Sequence, residues 1–342
     1  MLFWIRILTY LTISIVLSQL NVWADGTVNA LFIFVGRVML VLSPVLYRTF
    51  KPYALSVTQC IMLLSIIGLL VKFNIVCIIV MAVALSVSGY LQKLLGSHSF
   101  TGAGNLKIAA NIGGLAGGGI LFLLPHLPRF LLLLLIGSAI LVTLLFGIRY
   151  EKKIVAPDYI ALNQNYRMTK VRFAWCLFGV AIGIKFYAIF TLLPQLILKT
   201  RGELPNWYGF IILVNALGII IGQRLTIKAV QNWAIKQFYI SLLIGLLIIG
   251  AAPFLHLDCW LSATIWTLVL TSVECIISAM DNLSALQGAL LYKEAAIGIG
   301  GAFSALFARY GGINPFLLSA LFGMFTVILG YCFMNKQSNN AK

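Results

Sequence analysis

Charged residues are scarce in this sequence, and acidic residues are the scarcest among them. Of the 342 residues 9% are charged and 61% are hydrophobic, and 8 Asp and Glu stand against 24 Lys and Arg. Soluble domains carry roughly 25% charged residues, so a chain of this composition cannot hide its apolar surface inside a water-soluble globule. The composition excludes a soluble protein and indicates that lipid is its main solvent.

Motifs for metal, nucleotide and nucleophile chemistry are also absent. The cysteines have no spacing typical of a zinc site or a disulfide framework, and the histidines form no cluster with a nucleophile. No Gly-rich loop ending in Lys-Ser or Lys-Thr is present to bind nucleotide phosphates. We therefore predict that the protein is not an enzyme, binds no metal or other cofactor, and contains no ATP-driven motor.

Long apolar runs fill most of the sequence. A spanning helix needs roughly 20 apolar residues, because the backbone must satisfy its own hydrogen bonds in hydrocarbon. Twelve windows meet this need: Leu2 to Leu20, Val28 to Leu46, Tyr53 to Val71, Ile75 to Leu91, Leu106 to Leu124, Phe130 to Ile148, Phe173 to Leu198, Trp207 to Ile227, Phe238 to Leu255, Cys259 to Met280, Ala295 to Tyr310 and Pro315 to Met334. The predicted fold class is all-α, a polytopic membrane protein with twelve transmembrane helices.

The first window admits two interpretations. Arg6, the apolar run after it and Val22-Trp23-Ala24 are similar to a cleavable secretory signal. The alternative is an uncleaved first span, which the even number of windows favours.

One connection is longer and more polar than the others, and it lies between the sixth and seventh windows. It divides the chain into a predicted N-terminal six-helix bundle at 1–148, a cytoplasmic linker at 149–172 and a C-terminal six-helix bundle at 173–342.

The basic residues indicate how the chain is oriented. With the N-terminus in the cytoplasm, most Lys and Arg fall in cytoplasmic connections, Lys293 among them, and Lys72, Arg129, Lys199 and Arg201 remain outside. Short loops rich in Lys and Arg stay on the cytoplasmic side. We therefore interpret the net charge of +16 as a topology signal and not as a nucleic-acid footprint. The predicted location is the inner (cytoplasmic) membrane, with both termini cytoplasmic.

The seventh and eighth windows carry a family resemblance. Phe-Thr-Leu-Leu-Pro-Gln from Phe190, then Trp207-Tyr208-Gly209 and the glycines from Gly218 to Gly222, resemble the seventh and eighth helices of the major facilitator superfamily. The resemblance covers nearly the whole chain at low motif fidelity. It implies two six-helix halves with a substrate site near the middle of the membrane.

The family's best-known motif is a cytoplasmic turn after the second helix. In this chain 43–52 occupies that turn, where Arg48 and Lys51 match basic positions and Tyr47 replaces the expected Asp. The corresponding turn after the eighth helix keeps Gly222 and Arg224, with Lys228, and also lacks the acid. The charge-relay role attached to that Asp is therefore in doubt.

The fifth window contains glycines at family spacings. Gly104, Gly113 and Gly117 resemble the glycines of proton-coupled exporters in the superfamily, although Gly118 replaces the expected Pro. Glycines four residues apart also allow two helices to approach closely. Export and tight helix packing therefore both remain open as interpretations.

Ionisable residues inside the spans are the first site candidates, because a charge in mid-bilayer is costly unless it faces water or a partner. Arg37, Lys185 and Glu274 lie within the second, seventh and tenth windows. The family resemblance implies that the seventh and tenth helices line the central cavity. Lys185 and Glu274 would then form a functional ion pair or proton carrier, or else a static salt bridge, and Glu274 is the candidate proton-coupling carboxylate.

Other polar residues have weaker predictions. Asn111, Gln195 and Asn215 would either bind substrate or join helices. We expect Arg6 to extend to the membrane interface and Asp281 to cap a helix or face water.

These features together predict a monomeric secondary transporter that moves a small organic molecule by alternating access. The predicted mode is proton-coupled export by an antiporter of a drug, metabolite or siderophore, and an anionic substrate fits the net positive charge of Arg37, Lys185 and Glu274. The alternatives are uptake of an organic anion and a membrane receptor or assembly protein that does not transport.

Overall fold

The structure is a computed structural model that describes the chain except residues 25, 51–52, 97–99, 125, 153–167, 231–232, 279, 311, 313 and 340–342. Within the described ranges the regular structure is helical. The α-helices are α1 Leu2–Trp23, α2 Gly26–Val38, α3 Ser43–Phe50, α4 Ala54–Val71, α5 Ile75–Gly96, α6 Phe100–Leu123, α7 Arg129–Glu151, α8 Lys170–Tyr187, α9 Leu192–Arg201, α10 Trp207–Val230, α11 Ile235–Gly250, α12 Trp260–Ile277, α13 Met280–Leu286, α14 Leu290–Tyr310 and α15 Pro315–Asn339.

The apolar helices confirm the predicted fold class. In the part of the chain that the structure describes, nine helical segments are long and apolar enough to cross a membrane. Three shorter apolar helices, Gly26–Leu42, Trp207–Gln223 and Ile235–Gly250, fall in the second, eighth and ninth predicted windows. The protein is therefore an all-α, multi-pass membrane protein.

The seventh window lies in one candidate span, Lys170–Arg201, whose helix is interrupted at 188–191. α8 ends at Tyr187 and α9 begins at Leu192, and the backbone N–H of Thr191 donates to the Tyr187 carbonyl at 2.8 Å. Pro194 explains the break, because proline has no N–H for the carbonyl four residues earlier and its ring clashes with it. In the first turn of the new helix α9, that missing donor has no cost.

The second window is also interrupted. A short 3-10 helix, Met39–Leu42, separates α2 from α3, and the Ser43 N–H donates to the Leu40 carbonyl. The turn predicted at 43–52 is therefore wrong for its first eight residues, which form α3 and include Arg48. Lys51 lies outside the described residues.

Three further predicted boundaries are corrected. α10 continues to Val230, so Gly222, Arg224 and Lys228 lie in a helix and not in a turn. α14 begins at Leu290, so Lys293 lies in its first turn instead of a loop. The linker predicted at 149–172 is shortened by α7 at one end and α8 at the other, and its residues 153–167 lie outside the described part of the chain.

The chain divides into two compact units. Unit 1 consists of Met1–Trp23, Val35–Gln164 and Pro205–Ala216, and unit 2 of Ala24–Phe34, Asn165–Leu204 and Leu217–Lys342. Each unit is thus built mainly from one half of the sequence and takes one short segment from the other half.

Glycines allow close helix packing within each unit. In unit 1, a Cβ atom at Gly113 would lie 2.8 Å from the Leu11 nitrogen, and one at Gly117 would lie 2.8 Å from the Ser14 Cβ, so α6 packs directly on α1. In unit 2, a Cβ atom at Gly300 would lie 2.9 Å from the Ile184 nitrogen, so α14 packs on α8 in the same way. Such contacts hold helices together where hydrophobicity provides no driving force between them.

Candidate functional site

The structure brings Lys185 and Glu274 together inside unit 2. Lys185 lies near the C-terminal end of α8 and Glu274 near that of α12. The Lys185 ammonium donates to Glu274 Oε2 at 2.5 Å, and the side chains are 3% and 15% exposed. The two residues form a buried ion pair between helices that are far apart in sequence.

α11 closes over this pair at a glycine. A Cβ atom at Gly245 would lie 3.0 Å from Cγ1 of Val273 and 3.6 Å from Cγ of Lys185. The hydrogen atom that Gly245 carries in place of a side chain allows α11 to approach Val273 of α12 closely, and the Lys185 stem lies at ordinary van der Waals distance from the same position. The pair is therefore enclosed by α8, α11 and α12.

The pair is neutral as a whole, and its neutrality depends on one proton. A buried ion pair is tolerated because each charge compensates the other, and removal of one partner usually costs about 3–5 kcal/mol. A proton on Glu274 would remove the negative charge and leave the Lys185 ammonium in a nearly dry environment. Each charge of the pair therefore depends on the presence of the other.

The remaining predicted pathway residues make separate contacts. Asn111 Nδ2 donates to the Lys107 carbonyl of its own helix at 2.9 Å. Gln195 lies in α9, where its Nε2 is 3.2 Å from the Cβ position of Gly26 in α2. Arg37 is half-buried in the last turn of α2, and Asn215 is half-buried in α10. A role in substrate binding stays a prediction for all four.

The predicted motif glycines lie at helix contacts. Gly113 and Gly117 face α1, as described above, and a Cβ atom at Gly222 would lie 3.0 Å from the Cys275 sulfur. The surroundings of Gly104 and of the Arg224 side chain lie outside the described part of the structure.

Sequence reasoning missed a polar network around Arg6 in unit 1. Arg6 is buried, which corrects its predicted interfacial position. Its guanidinium donates to the Gly89 carbonyl at 2.5 Å and to the Tyr10 hydroxyl at 3.1 Å, and it lies 3.5 Å from Gln92 Oε1. The Gln92 amide in turn donates to Thr9 Oγ1 at 3.0 Å, so α1 and α5 are joined through several hydrogen bonds.

A second ion pair in unit 2 was also missed. Lys293, whose side chain is 0% exposed, forms an ion pair with Asp281 across the connection from α13 to α14. Its ammonium lies 3.7 Å from Oε1 of Glu294, which is also buried. From the first turn of α13, Asp281 thus pairs with a lysine, and with its side chain 33% exposed its predicted role as a helix cap or water-facing residue stays a prediction.

Glu151 was missed as well. It ends α7 and accepts hydrogen bonds from the backbone N–H groups of Leu55 at 2.7 Å and Ser56 at 3.1 Å, and from the Ser56 hydroxyl. These N–H groups belong to the first turn of α4 and have no partner within their own helix. Glu151 thus caps α4 from a distant part of the chain.

Two of these residues left a signal in the sequence. Arg6 and Gln92 are strongly polar residues in or directly beside apolar windows, which already required a partner for each. Neither the identity of the partner nor the depth of burial follows from the window alone.

The fold defines a multi-pass helical membrane protein with buried ion pairs in one unit. It is similar to the crystal structure of the nucleoside transporter NupG, with a TM-score of 0.69 and 12% sequence identity over 98% of this chain and 96% of that chain. An Asp-to-Ala mutant of NupG gives a TM-score of 0.65 and 14% identity over 98% of this chain and 99% of that one.

No protein-family model and no curated protein sequence matches the chain. At this identity the likeness establishes the fold alone, the helical fold of that transporter, which agrees with the predicted all-α membrane architecture.

Proposed function

We propose that the protein is a secondary active transporter that moves a small organic molecule across a membrane by alternating access, with proton binding at Glu274 as the coupling step. The observation that carries the proposal is the ion pair of Lys185 and Glu274, buried between α8 and α12. One proton changes its charge and its helix-to-helix bond at the same time. The likeness to a nucleoside transporter supports the transporter class.

The proposed location and topology are those predicted from the sequence. The chain would lie as a monomer in the inner membrane with both termini cytoplasmic, and its six-helix bundles would span 1–148 and 173–342. Membership of the major facilitator superfamily is part of this proposal.

Two directions of transport follow from different residues. Proton-coupled export was predicted from the glycines of the fifth window, and the contacts of Gly113 and Gly117 with α1 already account for glycine at both positions. Uptake of an organic anion is the second candidate, and Lys185 favours it because its ammonium can bind a carboxylate or phosphate.

The test is flux in proteoliposomes with an imposed pH gradient of either sign. The substrate panel contains labelled nucleosides, organic acids and cationic drugs. We expect at least one compound to move faster with the gradient, and the sign of the effective gradient gives the direction relative to protons. Glu274→Gln should abolish the acceleration by the gradient and retain exchange of substrate across the membrane.

The matched control is Glu203→Gln, because Glu203 is an exposed carboxylate in a connection between helices. It should transport like the wild type. Gradient-driven flux that survives in Glu274→Gln would disprove the proton role. If no compound moves in any preparation, the receptor or assembly protein becomes the better explanation.

A further inference from the structure

The ion pair of unit 2 also limits what can bind beside it. Lys185 is the more deeply buried partner, and the carboxylate that its ammonium contacts is that of Glu274. Lysine donates hydrogen bonds through its ammonium and accepts none, so a new partner for it must offer an acceptor and, in a dry site, a negative charge.

A proton alone is a poor ligand for this site. Protonated Glu274 would leave the ammonium of Lys185 buried without a compensating charge, which is strongly unfavourable away from water. An anion alone is also a poor ligand, since it would meet the negative charge of Glu274 beside the ammonium. Each of the two ligands removes the charge that opposes the other.

We propose that Lys185 binds the carboxylate or phosphate group of an anionic substrate, and that one proton on Glu274 and one such anionic group bind to the site together. This inference rests on the proposed function, because it names the substrate class of the same site. Two ligands that favour each other in this way are linked reciprocally, so the proton raises the affinity for the anion by the same factor as the anion raises the affinity for the proton.

The charge balance gives the coupling a physical reason. The empty pair of Lys185 and Glu274 is neutral, and the pair with one proton and one monoanion is neutral again. The two half-loaded forms carry one uncompensated charge in a low-dielectric environment and are therefore disfavoured. A transporter that changes conformation only in its neutral forms moves proton and anion in the same direction and leaks neither alone.

A cationic substrate would give the opposite linkage. It would compete with the Lys185 ammonium and with the proton for Glu274, so that acid would weaken its binding. The sign of the pH effect therefore separates an anion carrier from a proton-exchanging cation exporter.

The experiment uses the full chain in nanodiscs and three probes of nearly equal size: benzoate, benzamide and benzylammonium. Their binding is measured by calorimetry and by the shift in thermal unfolding at about pH 5.5 and about pH 8, where a normal carboxylate remains ionised in the probe. We expect benzoate to bind more tightly at the lower pH, by up to about tenfold per pH unit for one linked proton. Benzamide and benzylammonium should not show this gain.

Two variants sharpen the test. Glu274→Gln should bind benzoate with the same affinity at both pH values, because the amide mimics the protonated acid. The double variant Lys185→Gln with Glu274→Gln leaves no unpaired charge and should lose benzoate binding. Glu203→Gln should retain the pH dependence of the wild type.

Three results would overturn the inference: tighter binding of benzylammonium than of benzoate, no binding of benzoate at either pH, or a pH dependence that persists in Glu274→Gln. The proposed function and this inference can be disproved separately, by two different results. If benzoate binding is linked to a proton but no compound crosses the membrane, the anion site stands and the transporter does not. If protons drive flux of a panel compound while benzoate binding ignores pH, the transporter stands and the anion site does not.

Discussion

The two units hold their buried charges in different ways. In unit 1, the guanidinium of Arg6 donates to a carbonyl and a phenol, and Glu151 accepts from backbone N–H groups and a hydroxyl. In unit 2, the ammonium groups of Lys185 and Lys293 contact carboxylates. These contacts of Arg6 and Glu151 are with neutral groups, whereas those of Lys185 and Lys293 are with carboxylates.

The two kinds of contact respond differently to pH. Arginine does not lose its proton in proteins, so the network of Arg6 has the same charge at every physiological pH. A Lys–carboxylate pair changes its net charge when one proton binds to the carboxylate. Under the proposed function, the Lys185 pair is the group in unit 2 that a proton switches. The constant charge in unit 1 is that of the Arg6 guanidinium, whereas Glu151 is itself a buried carboxylate.

The largest effect on stability is expected at Lys293. Lys293→Met would leave the partly exposed carboxylate of Asp281 and the buried carboxylate of Glu294 without the ammonium that they contact, so we expect the free energy of unfolding to fall by about 3 kcal/mol. SDS titration in mixed micelles measures the change. Adding Asp281→Asn to this variant should restore part of the loss.

The control for Lys293 is Lys72→Met, which removes an exposed lysine and should change stability little. Equal effects of the two single replacements would show that the buried pair of Lys293 and Asp281 contributes nothing, and the contrast between the units would disappear.

A smaller effect is expected in unit 1 at Gln92. Gln92→Leu removes the amide that donates to Thr9 and Ser88 and accepts near Arg6, and leaves these buried polar groups with one bond fewer. We expect a loss of about 1–3 kcal/mol in the free energy of unfolding. The loss should be the same at every pH, in contrast to variants of the Lys185 pair.

Unit 1 contains a matched control for this replacement. Gln59 in α4 is equally buried, and within the described residues its side-chain amide has no hydrogen-bond partner. Gln59→Leu should therefore be neutral or stabilising, because it removes a polar group that is already unsatisfied. If Gln59→Leu lowers the free energy of unfolding as much as Gln92→Leu does, the change in side-chain volume, and not the loss of hydrogen bonds, determines the effect.

The contrast between the units was only partly predictable from the sequence. The apolar windows determined the fold class, because hydrocarbon admits few alternatives to helices. Lys185 and Glu274 were selected because a charge far inside a span requires a reason. Pro194 within the seventh window also indicated a helix break, which the hydropathy pattern concealed.

The missed contacts are long-range or lie at weak helix boundaries. Arg6 and Gln92 are separated by 86 positions, so their contact depends on how α1 and α5 pack, which no local pattern specifies. Lys293 and Glu294 look like loop residues because two charges precede a Gly- and Ala-rich window of low hydropathy. The ion pair of Lys293 with Asp281 compensates the lysine charge at this buried helix start.

The smallest effect on stability is expected at Gly245. A replacement at this position tests the ion pair of Lys185 and Glu274 with little change in the stability of unit 2. Alanine in a helix interior is more favourable than glycine by about 1 kcal/mol, and the close contact of its Cβ with Val273 costs a similar amount. The free energy of unfolding of Gly245→Ala should therefore stay within about 1 kcal/mol of the wild type. The same methyl group presses on Val273, the residue before Glu274 in α12, and should shift the Glu274 carboxylate relative to the Lys185 ammonium. Proton-driven flux should then fall several-fold at nearly constant stability.

Gly137→Ala is the matched control for Gly245, because its Cβ would lie 3.4 Å from Ile66 in unit 1, away from the Lys185 pair. Its stability should rise slightly and its flux should remain that of the wild type. If Gly245→Ala and Gly137→Ala transport equally well, the position of Glu274 relative to Lys185 does not matter for coupling. In that case the pair would be a static link between α8 and α12, as constant in charge as the Arg6 network of unit 1.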